Sequence, residues 1–312
     1  MFAETPTYDG FALDGLDLVG HKDGTSVAVC LPARDEAETI APIVEAIVAE
    51  LVDGRGRHGG LVDELVVMDD RSTDDTARLA AEAGATVIEV GAVLPEAGRG
   101  SGKGNVLWKS VAATTSDIVV WCDADLRHFD TVFVTGLAAP LLLAPEVMLV
   151  KGFYERPLGD QPGGGGRNTE LMARPLLSLL FPELTVIRQP LGGEYAGRRS
   201  VLEQVPFVQG YGVETGLLID VARLVGLDRI AQVDLGVRRH RNRPLHELSA
   251  QAMEILQTGL DRAGAVTERD WSHVLVRPDH EPVEVELRER PPLVEMAGYV
   301  SRAAQQTAMR AH

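Results

Sequence analysis

The sequence predicts an α/β fold with a Rossmann-like, mostly parallel sheet flanked by helices. Two patterns support this prediction. Apolar strand-like segments alternate with amphipathic helical segments through the first half, and polar residues follow directly behind several of the strands. The chain has 312 residues, of which 45% are hydrophobic and 24% charged, so it can bury a large core in one extended domain or in two closely joined lobes.

The first half of the sequence predicts four strands that alternate with helices, so that a strand-helix unit is repeated. The predicted strands are 26–31, 64–68, 86–90 and 117–122, and the predicted helices are 39–51, 73–83 and 105–113. A long loop spans 91–104. Right-handed crossovers place such strands in a parallel sheet, and ligands then bind beyond their carboxyl ends.

The second half is less regular. It predicts strands at 147–153 and 230–237, helices at 169–180 and 213–225, and a strand pair, 186–189 with 194–198, around Gly192–Gly193. The glycine-rich segment 162–167 could approach a ligand closely and act as a lid. An amphipathic stretch at 293–309 ends a Pro-rich, charged tail.

Composition excludes several classes of protein. A net charge of −16 opposes binding to nucleic acid. The longest apolar stretch, 136–150, is too short and too interrupted to span a bilayer, and no secretory signal is evident in the first 24 residues. Cys30 and Cys122 lie in apolar runs, which favours buried, reduced thiols. We therefore expect a soluble, cytoplasmic protein that binds no membrane.

The most informative motif is Asp123-Ala124-Asp125, directly behind the predicted strand 117–122. Two carboxylates at the end of a buried strand form a hard oxygen site that suits Mg²⁺ or Mn²⁺, particularly a metal that also carries phosphate. A nucleotide-sugar transferase holds its donor in this way. Alone the motif is weak, because Asp also caps helices at strand ends.

Other residues at the predicted strand ends strengthen this interpretation. Pro32, Ala33, Glu36 and Asp70 could contact a base and a ribose, although helix capping and turn formation are alternatives. Lys103 lies between glycines before a helix, where its ammonium and nearby amides could meet a phosphate. The surrounding residues lack the pattern of a P-loop.

A basic segment, 238–243, contains four Arg, one His and one Asn in an otherwise acidic chain. It could be a solvated turn or a cationic cradle for phosphate. His240 could complete a metal site with Asp125, although a structural, hydrogen-bonded His is the common alternative. Arg238 could help to stabilise the charge of a departing diphosphate.

Together these motifs resemble the actinobacterial glucosyl-3-phosphoglycerate synthases over roughly 27–265. The resemblance rests on Leu31-Pro32-Ala33, on the turn 72–76, on Gly102-Lys103-Gly104, on Asp123-Ala124-Asp125, and on the segments 165–171, 189–195, 210–214 and 240–245. It implies a GT-A fold, Mg²⁺ or Mn²⁺, transfer of glucose from UDP-glucose to the 2-hydroxyl of 3-phosphoglycerate, retention at the anomeric carbon, and a homodimer.

Matching positions imply a role for each site residue. Asp125 and His240 would bind metal, and Gly166, Arg167, Thr169 and Asn242 would hold the acceptor. The nucleotide sugar would be bound by Pro32, Ala33, Glu36, Asp70, Lys103, Asp123, Ala124, Leu191, Tyr211, Glu214 and Arg238. Asp125, His240, Arg238 and Glu214 are the residues expected to act in catalysis, with sugar binding favoured over a nucleophilic role for Glu214.

The sequence also predicts an organisation of the chain. We expect an N-terminal extension at 1–25, a nucleotide-sugar-binding part at 26–153, an acceptor-binding part at 154–265, and a C-terminal arm at 266–312 with a possible dimer contact.

The sequence departs from the family's pattern at three donor contacts, which are Ala124, Gly192 and Asp69-Asp70. Mannosyl transfer from GDP-mannose therefore remains an alternative, and a non-catalytic nucleotide-sugar-binding protein is a remote one.

Overall fold

The structure is a computed structural model that describes residues 5–157, 166–238, 245–265, 272–278 and 280–301. The strands of this part are β1 (Thr7–Asp9), β2 (Val27–Ala33), β3 (Glu64–Asp69), β4 (Thr86–Glu89), β5 (Ile118–Trp121), β6 (Leu149–Glu155), β7 (Tyr195–Arg198), β8 (Phe207–Val208), β9 (Ile230–Val237), β10 (Val274–Arg277), β11 (His280–Glu284) and β12 (Glu289–Arg290). The α-helices are α1 (Gly10–Asp14), α2 (Ile40–Ile47), α3 (Thr76–Glu82), α4 (Gly102–Ala113), α5 (Val132–Leu143), α6 (Arg174–Leu180), α7 (Arg199–Leu202), α8 (Val213–Val225) and α9 (Leu245–Arg262). A π-helical turn extends α2 over Val48–Val52, and another precedes α6 over Thr169–Ala173.

The main sheet confirms the predicted α/β architecture. Its eight strands lie in the order β1-β9-β6-β7-β5-β2-β3-β4. Strands β5, β2, β3 and β4 are mutually parallel, as are β6, β9 and β1, whereas β7 is antiparallel to both of its neighbours. Since β7 alone reverses direction in this sheet, the carboxyl ends of the other strands meet at one edge.

Helices cover both faces of the sheet, which explains why its central strands are continuously apolar. Along β2, Val27, Val29 and Leu31 belong to one hydrophobic core, which α2 and α5 complete. Ala28 and Cys30 point to the other face and join the core that includes α4 and α8. Successive strand residues alternate between faces, so a strand covered on both sides must be apolar throughout.

The sequence analysis missed several elements of the described chain, among them β1, α5 and the long helix α9. Strand β1 pairs with β9 and extends the sheet at its edge, so part of the N-terminal extension belongs to the sheet. Helix α5 is buried along nearly its whole length, so it has no polar face and shows no helical periodicity. In the described part of the chain, no helix combines the length and the apolar character that a membrane span requires.

The predicted strand at 186–189 is wrong. A 3₁₀ turn occupies Pro182–Val186, and the backbone N of Arg188 donates to Oε1 of Gln232 at 2.7 Å. Ile187 is fully buried, so the apolar pattern reflects packing onto the core. The other half of the predicted pair forms β7, which hydrogen-bonds to β5 and β6.

The tail folds back onto the rest of the chain. Strands β10 and β11 form a hairpin, and β12 pairs with β8. Of the predicted amphipathic stretch, 302–309 lies outside the described residues, whereas Leu293 and Tyr299 are buried in a core.

Candidate active site

A cavity of about 500 Å³ opens beyond the carboxyl ends of the parallel strands. Every predicted site residue that the structure describes lines this cavity: Pro32, Ala33, Glu36, Asp70, Lys103, Asp123, Ala124, Asp125, Gly166, Arg167, Thr169, Leu191, Tyr211, Glu214 and Arg238. The other two, His240 and Asn242, lie outside the described residues. Chain segments far apart in sequence therefore converge where the sheet topology predicts a ligand.

The loops after β2 and β3 hold each other at one end of the cavity. The backbone N of Thr73 donates to Oδ1 of Asp35 at 2.7 Å, and the backbone N of Glu36 donates to Oγ1 of Thr76 at 2.8 Å. Asp70 is buried and forms a salt bridge with Arg71 at 3.0 Å. These contacts give Pro32 to Glu36 and Asp70 a defined position, although capping and turn formation account for part of the same pattern.

Asp123 is the centre of a charged network. Its Oδ1 accepts from Nζ of Lys103 at 2.7 Å, and its Oδ2 accepts from Nη2 of Arg238 at 2.6 Å. Lys103 also pairs with Glu214 at 3.0 Å. Both oxygens of Asp123 are therefore engaged by cations from distant parts of the chain.

Arg238 extends the network to two further carboxylates. Its Nε donates to the fully buried Glu194 at 2.8 Å, and its Nη2 lies 3.2 Å from Oδ1 of Asp125. The network therefore joins four carboxylates to two cations, which is a net charge of −2 when all are ionised. An additional cation would balance this charge.

The two aspartates of the motif have different acidities. Burial alone would raise the pKa of Asp123, but Lys103 and Arg238 outweigh burial and hold that pKa below its usual range. Burial and the neighbouring charge of Asp123 raise the pKa of Asp125. The side chain of Asp125 is 35% exposed towards the cavity, so it can meet a ligand directly.

The carboxylates at the cavity suit a hard divalent cation, but they are too few to complete its coordination. Further protein ligands or oxygen atoms of a bound substrate are needed. Carboxylate oxygens of the Asp123–Asp125 motif are suitable ligands for Mg²⁺ or Mn²⁺. Within the described ranges, no group of three or more His, Cys, Asp or Glu side chains could hold a metal ion. Asp125 with one further protein ligand and diphosphate oxygens would be an ordinary coordination set.

Small residues keep the cavity open at the network. A side chain at Gly193 would overlap Oδ2 of Asp123 and would place its Cβ 2.8 Å from Nζ of Lys103. The backbone O of Ala124 accepts from Oγ1 of Thr39 at 2.6 Å, while the side chain of Ala124 packs into the hydrophobic core. The motif is therefore anchored at the start of α2.

Sequence analysis did not single out Tyr154, Arg156 or Glu194. Tyr154 donates to Oε2 of Glu194 and accepts from Nη2 of Arg156 at 2.7 Å. Arg156 directly follows β6, so the strand-end argument applied to 147–153 would have found it. For Glu194 the available sequence signal was a Glu directly behind Gly192-Gly193, and only the structure shows that this Glu is buried.

Comparisons with known proteins agree with this geometry. Residues 28–205 match the family model for glycosyl transferase family 2. The glucosyl-3-phosphoglycerate synthase of Mycolicibacterium smegmatis is 53% identical over 252 residues, covering 80% of this chain and 81% of that protein. The enzyme of the same name from Petrotoga mobilis is 42% identical over 293 residues, covering 89% of each chain.

This chain belongs to the glucosyl-3-phosphoglycerate synthases.

Comparison with solved structures shows that the similarity extends over the whole fold. The Mycobacterium tuberculosis glucosyl-3-phosphoglycerate synthase, in complex with Mn²⁺, UDP-glucose and phosphoglyceric acid, is 44% identical, with a TM-score of 0.83 over 94% of this chain and 100% of that chain. Its complex with Mn²⁺, UDP-glucose and glycerol 3-phosphate gives a TM-score of 0.78 at 45% identity, over 89% and 94% of the two chains. The fold is therefore of the GT-A type, as the resemblance implied.

Proposed function

We propose that this synthase transfers glucose from UDP-glucose to the 2-hydroxyl of 3-phosphoglycerate, with retention at the anomeric carbon. The observation that carries the proposal is that the network of Asp123 and the segment containing Arg167 and Thr169 line one cavity. A donor site and an acceptor site then share a single reaction space. Relatives that bear this activity in their names support the same assignment.

The nucleotide end of the donor binds at the paired loops after β2 and β3. Pro32, Ala33 and Ala124 supply backbone and apolar contacts, while Glu36 and Asp70 supply carboxylates for the base and ribose. We assign Asp125 and His240 to Mg²⁺ or Mn²⁺. When bound, the metal neutralises charge that develops on the departing diphosphate.

The charged network around Asp123 contacts the glucose and the diphosphate of the donor. Lys103 and Arg238 are fixed by Asp123, so their positions are set before the donor binds. Leu191, Tyr211 and Glu214 line the same cavity and would contact the sugar.

The acceptor belongs at the start of the helical segment after residue 166. Gly166 has φ 75°, a left-handed conformation that favours glycine and turns the backbone towards the cavity. Arg167 supplies a cation for an anionic group of the acceptor, and Thr169 and Asn242 supply hydrogen bonds.

Retention has two candidate mechanisms. In front-side attack, the acceptor 2-oxygen bonds to the anomeric carbon as the bond to the UDP β-phosphate oxygen breaks, and the hydroxyl proton passes to that departing oxygen. A double displacement would need an enzymic nucleophile. Glu214 is paired with Lys103 at 3.0 Å, which lowers its nucleophilicity and favours front-side attack.

Glu214→Gln tests this assignment. We expect kcat to stay within about threefold of the wild type while KM for UDP-glucose rises, because a sugar contact is weakened and no nucleophile is lost. Steady-state kinetics measure both constants. Trapping a glycosylated Glu214 would overturn the assignment.

The proposed reaction itself is tested with purified protein. The protein is incubated with 3-phosphoglycerate and UDP-glucose, ADP-glucose, GDP-glucose or GDP-mannose, with and without Mg²⁺, and the products are analysed. We expect glucosyl-3-phosphoglycerate, formed best from UDP-glucose and only with the metal. Product from GDP-mannose alone would support the mannosyl alternative, and donor binding without any product would support the non-catalytic one.

A cytoplasmic location and a homodimer are further parts of the proposal. Cys30 and Cys122 are buried free thiols, which suits a reducing compartment. Fractionation of cells and sedimentation of the purified protein test the two points separately.

A further inference from the structure

Arg156 is held at the wall of the cavity by the hydroxyl and the ring of the buried Tyr154. Its Nη2 donates to the hydroxyl of Tyr154 at 2.7 Å, and its guanidinium lies over the Tyr154 ring at 4.9 Å from the centroid. The hydroxyl of Tyr154 donates to Glu194, so its proton is not available to another acceptor. The side chain of Arg156 therefore has a defined orientation before any substrate binds.

Within the described residues, no carboxylate neutralises the charge of Arg156, whereas carboxylates neutralise the charges of Lys103 and Arg238. Lys103 and Arg238 each form salt bridges with two or more carboxylates. Among the described residues, Arg156 has a phenol and an aromatic ring as partners and no carboxylate, and its Nε is buried without a hydrogen bond. A guanidinium has five N–H donors, so most of them remain available to an anion.

Its position places that anion between the acceptor segment and the donor network. A Cβ at Gly166 would lie 3.8 Å from Cδ and 3.9 Å from Nη1 of Arg156, so the side chain is beside the acceptor segment. Arg156 is also joined to the donor network through hydrogen bonds, because it donates to Tyr154, Tyr154 donates to Glu194, and Glu194 accepts from Arg238. It therefore faces the part of the acceptor that is nearest to the glucose.

The acceptor in the proposed reaction carries two anionic groups. Its carboxylate is attached directly to the carbon that bears the reacting hydroxyl, whereas its phosphate is one carbon further away. A single Arg in the acceptor segment cannot neutralise both groups at once. Arg156, which is joined to the donor network through Tyr154 and Glu194, is suited to the carboxylate, and Arg167 is then left for the phosphate.

We propose that Arg156 binds the carboxylate of the acceptor and so orients its 2-hydroxyl towards the anomeric carbon. This inference rests on the proposed function. Arg and carboxylate form a planar, charge-assisted pair, which fixes orientation as well as affinity. The enzyme then discriminates 3-phosphoglycerate from phosphorylated three-carbon alcohols that lack the carboxylate.

The test compares Arg156→Gln and Arg156→Lys with the wild type. Binding of 3-phosphoglycerate and of glycerol 3-phosphate, which lacks the carboxylate, is measured with UDP and Mn²⁺ present, and KM is measured for both substrates. For Arg156→Gln we expect the Kd of 3-phosphoglycerate to rise about 10- to 100-fold, as for loss of a hydrogen-bonded charge. The Kd of glycerol 3-phosphate and the KM of UDP-glucose should change by less than about twofold, and Arg156→Lys should recover part of the loss.

A matched control is Arg188→Gln. Arg188 also lies over an aromatic ring of β6, that of Phe153 at 4.7 Å, but it does not line the cavity. We expect its acceptor Kd to equal that of the wild type. Thermal unfolding of each variant identifies any loss of folded protein.

Two results would overturn the inference. One is an equal loss of affinity for 3-phosphoglycerate and glycerol 3-phosphate, which would assign Arg156 to the phosphate. The other is an unchanged Kd for 3-phosphoglycerate in a folded Arg156→Gln variant. If the wild type formed no glucosyl-3-phosphoglycerate at all, the proposed function would fail first, and the two failures are therefore distinguishable.

Discussion

At the scale of single residues, the site depends on pairs of opposite charges buried around Asp123. Lys103 and Arg238 come from positions that are 20 residues before and 115 residues after this aspartate. Buried carboxylates are costly unless they are paired and hydrogen-bonded. The pairing therefore holds Asp123 ionised, while the side chain of Asp125 stays partly exposed to the cavity.

Asp125→Asn tests the metal assignment. We expect activity to fall by at least about 100-fold and Mn²⁺ binding in the presence of UDP to weaken, because an amide replaces an anionic ligand. His240→Ala should have the same effect. Calorimetric titration with Mn²⁺ measures the affinity, with the exposed helix residue Glu82→Gln as control. An unchanged titration for either ligand variant would contradict its role.

Gly193→Ala tests the spacing inside the network. The new Cβ would displace Asp123 and Lys103, so we expect kcat/KM for UDP-glucose to fall about 100-fold. The control is Gly54→Ala, since a Cβ at Gly54 meets no atom within 4 Å. Kinetics and circular dichroism separate a displaced site from an unfolded protein. Full activity of Gly193→Ala would show that the network tolerates this displacement.

At the scale of elements, β12 and the residues after it hold the start of α4, which carries Lys103, and the loop before it. Arg290 of β12 is buried, donates to Oδ1 of Asn105 at 2.8 Å and to the carbonyl O of Gly98 at 3.1 Å, and also donates to the carbonyl O of Ala97. Trp108 in turn donates to the carbonyl O of Pro291 at 2.8 Å. This segment therefore supports the start of α4 and with it the position of Lys103.

Arg290→Gln tests this support. Loss of the guanidinium leaves buried acceptors unsatisfied, so we expect the free energy of unfolding to fall by about 2–4 kcal/mol. The KM for UDP-glucose should rise because the start of α4, which carries Lys103, becomes less rigidly held. Arg288→Gln is the control, because Arg288 is exposed and pairs with Glu286. Urea unfolding and kinetics measure both effects, and equal stability of the two variants would contradict the role of Arg290.

Elements differ in how far the sequence predicts them. Strands β2, β3 and β5 follow from apolar runs with polar ends, and their parallel order follows from the intervening helices. Helix α5 could not be found by periodicity, since a helix that is buried all round has no polar face. The segment 186–189 failed because a short apolar run does not distinguish a strand from a buried turn.

At the scale of the whole molecule, an acidic chain concentrates cations at one cavity. The net charge is −16, yet Lys103, Arg156, Arg167 and Arg238 all line the same space. The overall charge disfavours nucleic acids, whereas these four cations are placed to contact the anionic groups of small phosphorylated substrates.

The stability of the whole fold should depend on pH through Lys151. This side chain is 2% exposed and donates to the carbonyl O of Gly192 at 2.8 Å, and burial lowers its pKa to about 7. Between about pH 7 and the pKa of the unfolded state, the unfolded chain binds more protons, so the free energy of unfolding rises with pH. Below pH 7 the charged form is buried and this gain is absent.

Lys151→Met tests this dependence. We expect the difference in unfolding free energy between wild type and variant to change by about 2 kcal/mol from pH 7 to pH 9, in favour of the wild type at the higher pH. Urea unfolding at both values gives this difference, in which the contributions of other groups cancel. A difference that is independent of pH would contradict the lowered pKa of Lys151.

The amino-acid sequence alone predicts the alternation of strands and helices, the edge of the sheet at which ligands bind, and the residues from Pro32 to Asp125 that lie there. Those properties are local, because periodicity and strand ends can be recognised in consecutive residues. The folded structure was needed to show that β7 lies between β5 and β6, and that Glu194, Tyr154 and Arg290 support the site. Their partners are 40 or more residues away, and a pairing at that distance depends on packing that no local pattern contains.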